Sequence, residues 1–540
     1  MPLRRLLMLA VPVLAACRQA ERGAAAASAT GGTLVIATPG DADNLLPPLA
    51  ATQLAAHVSE RLFPRLAELK PELNTVDDSG YMPVLAQRWE HRDSLTLVFH
   101  LDLRARWQDG QRITAGDVVF TFAVYTDTLT ASPYRANLAP VASVTQEDEH
   151  TVVFRFRRAY PEQLYDATYH LHILPRHLLD TIPPERLASS SFARDPVGAG
   201  PFRFVRWDGG AEIEVEADTG WFLGRPKLDR IVWRVMPDVS AAVTSLIAGE
   251  ADAMETIPQR DEIERVLQAR DLRVVPYPSP FLAGILFNLR RPLFASRELR
   301  RALAMGIDRE TIVRSVFGPY AEVPGGALSE MVWAARDSIG QIPFDTAGAQ
   351  RLLDSLGWRR GSGQPWRAKA GRRLAFTLIV PTTSRTRQQA AVLVQDQLKR
   401  LGVEVQIQPL DFAVFDRRGR SGDFDAQFFS RTLDPSPAEL AQFWSAGAVG
   451  QDNQGAYASP AFDSLLAAAE AAPTREAALP RYRAALERLN DDAPAVFVYS
   501  PSNNAAISRR FANVTIRPDS WLATVATWSV APDRRLPRDR

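Results

Sequence analysis

The sequence predicts an α/β protein built from several domains, and three observations support this prediction. Strands and helices alternate along the chain instead of being grouped by type. Hydrophobic residues make up 46% and charged residues 23% of the chain, which is typical of globular proteins. The 540 residues correspond to roughly three to four units at about 150 residues per domain, which excludes a single small module.

Individual strands are predicted from a two-residue alternation of apolar and polar side chains. The alternation occurs at residues 95–101, 151–156 and 211–217. It predicts strands with one buried face and one exposed face. In the last segment Ile213 and Val215 lie between glutamates, so the two faces differ clearly in polarity.

A strand, a helix and a second strand follow one another in the C-terminal half. Residues 374–380 form an apolar run, residues 386–401 have helical spacing of apolar side chains, and residues 403–407 alternate again. We expect Pro381 to end the first strand and Gly402 to take the left-handed C-cap conformation. Together they predict a right-handed parallel crossover.

The loop between this strand and helix is the first candidate for a binding site. Thr382, Thr383 and Ser384 offer side-chain oxygens that can cap the helix. Ligands of open α/β sheets bind outside the carboxyl ends of the strands, which points to residues 381–385. The alternative is a solvent-facing connection whose polar residues only cap the helix.

The N-terminal residues have the composition of a secretory signal peptide. Arg4 and Arg5 precede an apolar run at residues 6–16, and small residues precede Cys17. The run would form a helix about 16 Å long, too short for a hydrocarbon core of about 30 Å. We therefore predict a signal peptide at residues 1–16 rather than a membrane-spanning helix.

Residues 14–17 also resemble the bacterial lipoprotein box, in which the cysteine is lipidated and becomes the mature N-terminus. The alternative is a plain signal peptide followed by an incidental thiol. Residues 17–32 are rich in Ala, Gly and Ser, so we expect a lipidated Cys17 followed by a flexible tether. At the other end, residues 531–540 are polar and contain proline, and we expect them to fray.

Charge and motif content argue against nucleic-acid binding and catalysis. Lys and Arg total 63 and Asp and Glu total 62, so the net charge of +1 predicts no nucleic-acid partner. The sequence has no P-loop and no G-x-S-x-G motif, and Cys17 is its only cysteine. We therefore predict no catalytic residues, no cofactor and no enzymatic activity.

Three of the seven histidines lie close together in the sequence. His170 and His172 would share one face of a strand, and His177 follows shortly after, so a metal site is conceivable. The neighbouring apolar residues favour structural histidines instead, and we predict no metal ligands.

Short strings spread over nearly the whole mature chain resemble a known family. The longest covers residues 99–122 and contains W-Q-D-G at 107–110 and T-A-G-D at 114–117. Further strings occur at residues 32–36, 43–47, 83–86, 196–202, 228–238, 249–252, 287–289, 300–309, 352–358 and 457–463. They are similar to the extracytoplasmic solute-binding proteins of peptide-type ABC importers, a group that includes oligopeptide-, dipeptide- and nickel-binding proteins.

The resemblance implies a type II periplasmic-binding-protein-like fold with two lobes and an extra domain inserted in lobe 1 (cluster C type). It places lobe 1 at residues 33–62, 197–284 and 500–540, the inserted domain at 63–196 and lobe 2 at 285–499. Ligand would bind between lobes that close by a hinge motion, and the closed form would dock on a permease.

The resemblance also indicates ligand-binding residues. In peptide binders of the family, the stretch that matches residues 428–435 carries an aspartate three positions before an acidic-proline pair, and this aspartate holds the peptide ammonium. Here the pair begins at Asp434, and the earlier position is Arg431. Arginine attracts a carboxylate or phosphate, so an anionic ligand group is expected unless Arg431 pairs with Asp434 or Asp425. Phe428 either stacks on ligand or packs in the core.

The resemblance alone places Asp43 and Asn44 near the cleft. We predict a monomeric, lipid-anchored receptor in the cell envelope that delivers a peptide-like solute to an ABC permease without altering it. The alternatives are a receptor for a non-peptide anionic solute, such as a sugar, an opine or a metal chelate, an envelope hydrolase, and a signalling or adhesion receptor.

Overall fold

A computed structural model describes residues 30–335 and 339–539. The predicted signal peptide, Cys17 and the tether up to residue 29 lie outside the described residues. The last residues of the predicted tether already belong to the folded body, because the Gly31 amide donates to the Lys227 carbonyl at 2.7 Å and the Gly32 amide donates to the Asp229 carboxylate at 3.2 Å.

A large mixed sheet runs through the protein. Its strands lie in the order Glu404–Leu410, Ala375–Pro381, Ala426–Thr432, Phe281–Phe287, Ala495–Ser508, Ala253–Met254, Thr33–Thr38, Arg230–Val235, Glu212–Ala217 and Phe202–Asp208. Leu272–Pro278 and Ala321–Glu322 also pair with Ala495–Ser508.

Strand Ala495–Ser508 connects the two halves of this sheet. Its first part pairs with Phe281–Phe287, and its second part pairs with Leu272–Pro278 and Ala253–Met254. The chain therefore crosses between the halves twice, near residues 279–280 and 500–501. Prolines 278, 280 and 501 lie at these crossings.

A separate antiparallel sheet has the strand order Ala86–Asp93, Thr96–Leu101, Thr151–Phe156 and Val141–Asp148. Smaller sheets pair Ala67–Leu69 with Tyr81–Pro83, Phe511–Ala512 with Ser529–Val530, and Arg359–Arg360 and Arg372–Arg373 with Arg367–Lys369. The α-helices of the described residues are Gln53–Leu62, Ala115–Thr126, Gln163–Thr168, Arg176–Leu179, Val239–Ile247, Arg260–Gln268, Arg297–Met305, Arg309–Val316, Thr346–Ser355, Arg385–Arg400, Phe412–Ser421, Glu439–Trp444, Pro460–Glu470 and Arg475–Asp492. Alternating strands and helices confirm the α/β class.

The predicted strand-helix-strand unit is present. Strand Ala375–Pro381 ends at the proline and is followed in sequence by helix Arg385–Arg400 and strand Glu404–Leu410. The two strands pair in parallel. The Ser384 hydroxyl accepts from the Arg387 amide, and Gly402 has a φ of +81°, so both predicted caps form. The strands predicted from alternation near residues 95–101, 151–156 and 211–217 are also present. The expected exposed face is wrong, because consecutive residues of each strand are buried.

The core consists of three clusters of buried apolar side chains. The largest joins the four-stranded sheet and its helices to side chains from strands in both halves of the large sheet, and it includes Trp107, Trp333 and Tyr482. A second cluster lies beneath helix Arg385–Arg400, and a third lies beneath helix Val239–Ile247. The lobe and inserted-domain boundaries remain predictions.

The C-terminal segment is docked on the body, so the expectation that residues 531–540 fray is wrong for residues 531–539. The Asp539 carboxylate accepts from the Thr33 amide at 2.7 Å and pairs with Arg510 at 2.6 Å. Arg538 pairs with the buried Asp252 at 2.7 Å. Polar composition suggested a free end, but these charges have partners in distant parts of the chain.

Asp252 joins three segments and should be essential for stability. It is 1% exposed, accepts from the Val35 amide, and pairs with Arg510 and Arg538. Replacing Asp252 by Ala leaves the buried Arg510 without that carboxylate, so we expect a loss of about 3–5 kcal/mol in chemical denaturation. The exposed Asp195→Ala should stay within about 0.5 kcal/mol of the original protein, and equal losses in the two variants would contradict this prediction.

Candidate functional site

A cavity of about 550 Å³ opens where the chain crosses between the halves of the large sheet. One wall comes from helix Gln53–Leu62 and the segments around residues 255–260 and 518–521. The opposite wall comes from Phe281, the segment around residues 316–320, and Thr432. Because both halves contribute walls, a molecule in this cavity would touch both of them.

A second cavity of about 240 Å³ adjoins the first and shares Ala56, Glu60 and Asp519 with it. Its remaining lining comes from three parts of the chain: Pro47, Ala50, Ser59 and Arg65, then Tyr134, Tyr169, His170 and His172, and finally Asp434. The two cavities therefore adjoin at these residues, and the pair is called the cleft below.

A network of buried charges forms the wall shared by the cavities. The Glu60 carboxylate pairs with Arg61 at 2.9 Å and Arg65 at 3.5 Å, and it accepts from the Ser520 hydroxyl at 2.6 Å. Burial opposes ionisation of Glu60, but the two arginines outweigh it and lower its pKa to about 2. Glu60 and the two arginines are thus ionised at neutral pH, and their opposite charges offset one another. These ion pairs hold helix Gln53–Leu62 in place.

Two other carboxylates of the cleft are paired with histidines. Glu255 lies 3.5 Å from His57 Nε2, and Asp434 lies 3.2 Å from His170 Nε2. Burial lowers the pKa of His57, but the charge of Glu255 and its hydrogen bond outweigh burial, so the net shift is upward. These pairs place polar groups in both cavities.

Two residues that line the first cavity each carry a buried polar atom without a hydrogen-bond partner among the described residues. These atoms are the Trp521 Nε1 donor and the Asn504 Oδ1 acceptor. Both atoms are shielded from solvent, so they are not part of the accessible cavity surface. Other polar side chains of the lining belong to Gln53, Thr256, Ser502 and Asn503.

The residues predicted in the 381–385 loop do not line either cavity. Ser384 caps the helix, and the Thr382 amide donates to the Leu410 carbonyl at 2.8 Å. Thr383 is also absent from the two linings. Thr386, in the first turn of the helix, lines the first cavity instead.

Asp43 and Asn44 organise the loop that leads into helix Gln53–Leu62. The Asp43 carboxylate accepts from the Ala51 and Thr52 amides. Burial raises the pKa of Asp43, but these hydrogen bonds outweigh it, so the pKa is lowered overall. The Asn44 side chain accepts from the Leu46 amide and donates to the Leu49 carbonyl. Neither residue lines the cavities, so in this structure they act through the helix that does.

Phe428, Arg431 and Asp434 face different surroundings. Phe428 is fully buried in the second core cluster and packs near Tyr499. The Arg431 guanidinium stacks 4.1 Å from the centre of the Phe443 ring and donates to the Asp452 carbonyl at 3.0 Å, and burial lowers its pKa to about 10. Asp434 is the member of this group that lines a cavity.

The three clustered histidines do not converge. His170 lies beside Asp434, His177 lies 2.6 Å from Asp109, and burial together with the Arg65 charge lowers the pKa of His172 to about 3. Within residues 30–335 and 339–539, no group of three or more His, Cys, Asp or Glu side chains could hold a metal ion. In the same ranges, no helix is both long and apolar enough to cross a membrane.

Several cavity residues have no signal in the sequence. Trp521, His57, Glu255 and Tyr320 belong to four segments that are far apart along the chain, and none lies in a recognisable motif. Their convergence follows from the crossing of the sheet halves.

Comparisons with known proteins agree with this architecture. The family model of the bacterial extracellular solute-binding proteins, family 5, matches residues 80–452. Over 431 residues the chain is 28% identical to the oligopeptide-binding protein AppA of Bacillus subtilis, covering 79% of each chain. It is 23% identical over 503 residues to the dipeptide-binding protein of Escherichia coli, covering 88% of this chain and 90% of that protein. The structure of Bacillus subtilis AppA in complex with a nonapeptide gives a TM-score of 0.75 at 26% identity, covering 93% of this chain and all of that one.

Neighbouring positions on strand Ala426–Thr432 provide a matched test of the cleft. Thr432 lines the first cavity, whereas Arg431 points to the opposite face, toward Phe443. Methionine at position 432 (Thr432→Met) should fill part of the cavity and weaken solute binding at least about tenfold by calorimetry. Arg431→Met keeps the apolar stem and should leave solute preference unchanged; a switch of preference in this variant would place Arg431 in the site.

Proposed function

The chain belongs to family 5 of the bacterial extracellular solute-binding proteins, and from this premise we propose that it captures a peptide-like solute for an ABC importer. The solute binds in the cleft, is held by both halves of the large sheet, and is delivered unchanged to a permease. The family consists of substrate-binding proteins and not of enzymes.

The observation that carries the proposal is the cavity of about 550 Å³, which is lined by both halves of the large sheet. A peptide unit offers one carbonyl and one amide, and the polar side chains of the lining, such as Gln53, Thr256 and Asn503, can donate to or accept from such a unit. The names of the relatives, which include an oligopeptide-binding and a dipeptide-binding protein, support the same class of solute.

Capture follows from differential affinity. A solute that touches both walls stabilises arrangements in which the walls are close, and it cannot stabilise an arrangement in which one wall has moved away. The energy of binding is then available to set the relative position of the two halves, which is the signal that a permease can read.

An anionic non-peptide solute is less well supported. That alternative depends on Arg431, whose guanidinium is engaged by Phe443 and the Asp452 carbonyl. An envelope hydrolase is also not favoured, because the groups that line the cleft are neutralised pairs and hydrogen-bonding side chains that a binding role explains.

For the location, we propose an extracytoplasmic, monomeric protein held at the membrane through a lipid on Cys17. The description of the family as extracellular supports export. The lipoprotein-like string at residues 14–17 supports the anchor.

The solute class can be read from molecules that the purified protein retains. We expect native mass spectrometry of gently purified protein to show a bound solute, and we expect denaturation to release peptides from it. Rebinding of a panel of unmodified nonapeptides should then be measured by calorimetry, with Thr432→Met as the control variant. Release of non-peptide solutes, together with no binding of any peptide, would reject the proposal.

The anchor is tested separately with a Cys17→Ser variant. We expect the original protein to partition into the detergent phase of a Triton X-114 extraction and to carry the mass of an acylated N-terminal cysteine. The variant should partition into the aqueous phase with unchanged solute binding. An unacylated Cys17 in the original protein would show that the thiol is incidental.

A further inference from the structure

A buried polar junction lies outside both cavities and connects distant parts of the chain. The Ser436 hydroxyl lies 2.9 and 2.8 Å from the two carboxylate oxygens of Glu162, and the Thr75 hydroxyl donates to the same carboxylate. Trp333 Nε1 in turn donates to the Thr75 hydroxyl at 3.1 Å. All four residues are less than 9% exposed.

The junction fastens the four-stranded sheet region to the large sheet. Glu162 follows strand Thr151–Phe156, and Ser436 follows strand Ala426–Thr432. These bonded residues are 274 positions apart in sequence. The hydrogen bonds therefore join the region of the four-stranded sheet to a segment that follows a strand of the large sheet.

The fastened segment, residues 433–438, borders both the second cavity and the crossing. Asp434 lines the second cavity together with Tyr134 and His170, which come from the other side of the junction, and it pairs with His170 at 3.2 Å. The Leu433 amide donates to the carbonyl of Pro280 at the crossing at 2.9 Å. Any movement of Ser436 relative to Glu162 would thus alter the second cavity.

The geometry of the junction suits a group that can change its charge. Its carboxylate is bound by two neutral hydroxyls, and burial raises the pKa of Glu162 to about 7. An ionised carboxylate in this position pays for desolvation, whereas a protonated one can donate to Ser436 without that cost.

We propose that Glu162 is a positioning residue for solute capture, and that its bonds to Ser436 and Thr75 dock the 433–438 segment and so set the second cavity. This inference rests on the proposed function, because it assigns the cavity to captured solute. Release of Ser436 would loosen the Asp434 side of the second cavity, which the Asp434–His170 pair also holds.

Docking of the 433–438 segment should then depend on pH. Other charged and titratable groups around the junction also bear on this dependence. The groups near Glu162 are Tyr81, Arg158, Tyr160, Tyr165, Asp166, Glu439, Glu470 and Tyr482, and the Asp434–His170 pair joins the same two parts of the chain. Burial also raises the pKa of Asp166 and of Glu439, each to about 8, and the pKa of Glu470 is raised by burial as well. Comparison with Glu162→Gln separates the contribution of these carboxyl groups from that of Glu162.

The sign follows from the shifted pKa. Docked Glu162 holds its proton up to about pH 7, whereas a released, hydrated glutamate loses it near its ordinary value of about 4.3. Docking therefore takes up a proton between these limits, and it weakens as the pH rises through this window before levelling off above it. For one linked proton the change is up to about tenfold per pH unit.

Hydrogen exchange measures docking directly, without any solute. We expect protection of the Leu433 and Ala438 amides, corrected for intrinsic exchange, to fall between about pH 5 and 7 in the original protein and to level off above pH 7. Glu162→Gln keeps the size and hydrogen bonds but cannot ionise, so it should retain protection with a clearly smaller pH slope. Glu162→Ala should lose at least about tenfold in protection at every pH. Ser436→Ala gives the same test should that variant fail to fold, read at the Leu433 amide because the Ser436 hydroxyl itself accepts from the Ala438 amide.

The exposed Glu185→Gln serves as the matched control and should behave as the original protein. Affinity for the panel of nonapeptides, measured over the same pH range, should follow the exchange data. Equal pH slopes in the original protein and Glu162→Gln would overturn the inference whether or not peptides bind. Absence of peptide binding with the expected exchange slopes would instead reject the proposed function and leave the docking role of Glu162 supported.

Discussion

Strand Ala495–Ser508 belongs to both halves of the large sheet, and the place of the cleft follows from this sharing. Its first residues complete one half and its last residues complete the other. The neighbouring crossing at residues 279–280 runs alongside it. Ser279, Pro280, Pro501 and Ser502 all line the first cavity, so the floor of the cleft is the connection between the halves. A solute bound there would contact the connection between the two halves as well as the walls.

The walls combine fixed charge with open hydrogen-bonding capacity. Glu60 and its arginines neutralise one another and hold a helix against the cleft, so their charges are already satisfied before anything binds. Thr256, Ser502 and Asn503 add neutral polar side chains to the lining. Such an arrangement lowers the reorganisation needed for binding, because the polar groups that meet a solute are already in place.

Local structure could be predicted from the sequence where the cause is local. Two-residue alternation located the strands, and Ser384 and Gly402 capped a helix as their chemistry requires. The cleft could not be predicted in this way, because it is assembled from segments hundreds of residues apart. Arg431 illustrates the limit: it lies on a strand with side chains buried on both faces, so alternation alone does not tell which face meets the cavity. The ordered C-terminal segment likewise depends on Asp252, a partner that composition does not reveal.

The prolines at the two crossings have a mechanical consequence. The ring of each proline fixes its φ near −65°, so prolines 278, 280 and 501 leave few soft torsion angles between the halves. Rotation of one half against the other must then be absorbed by a handful of ψ angles. A joint with so few degrees of freedom restricts the halves to a narrow path of relative motion, and it resists twisting in other directions.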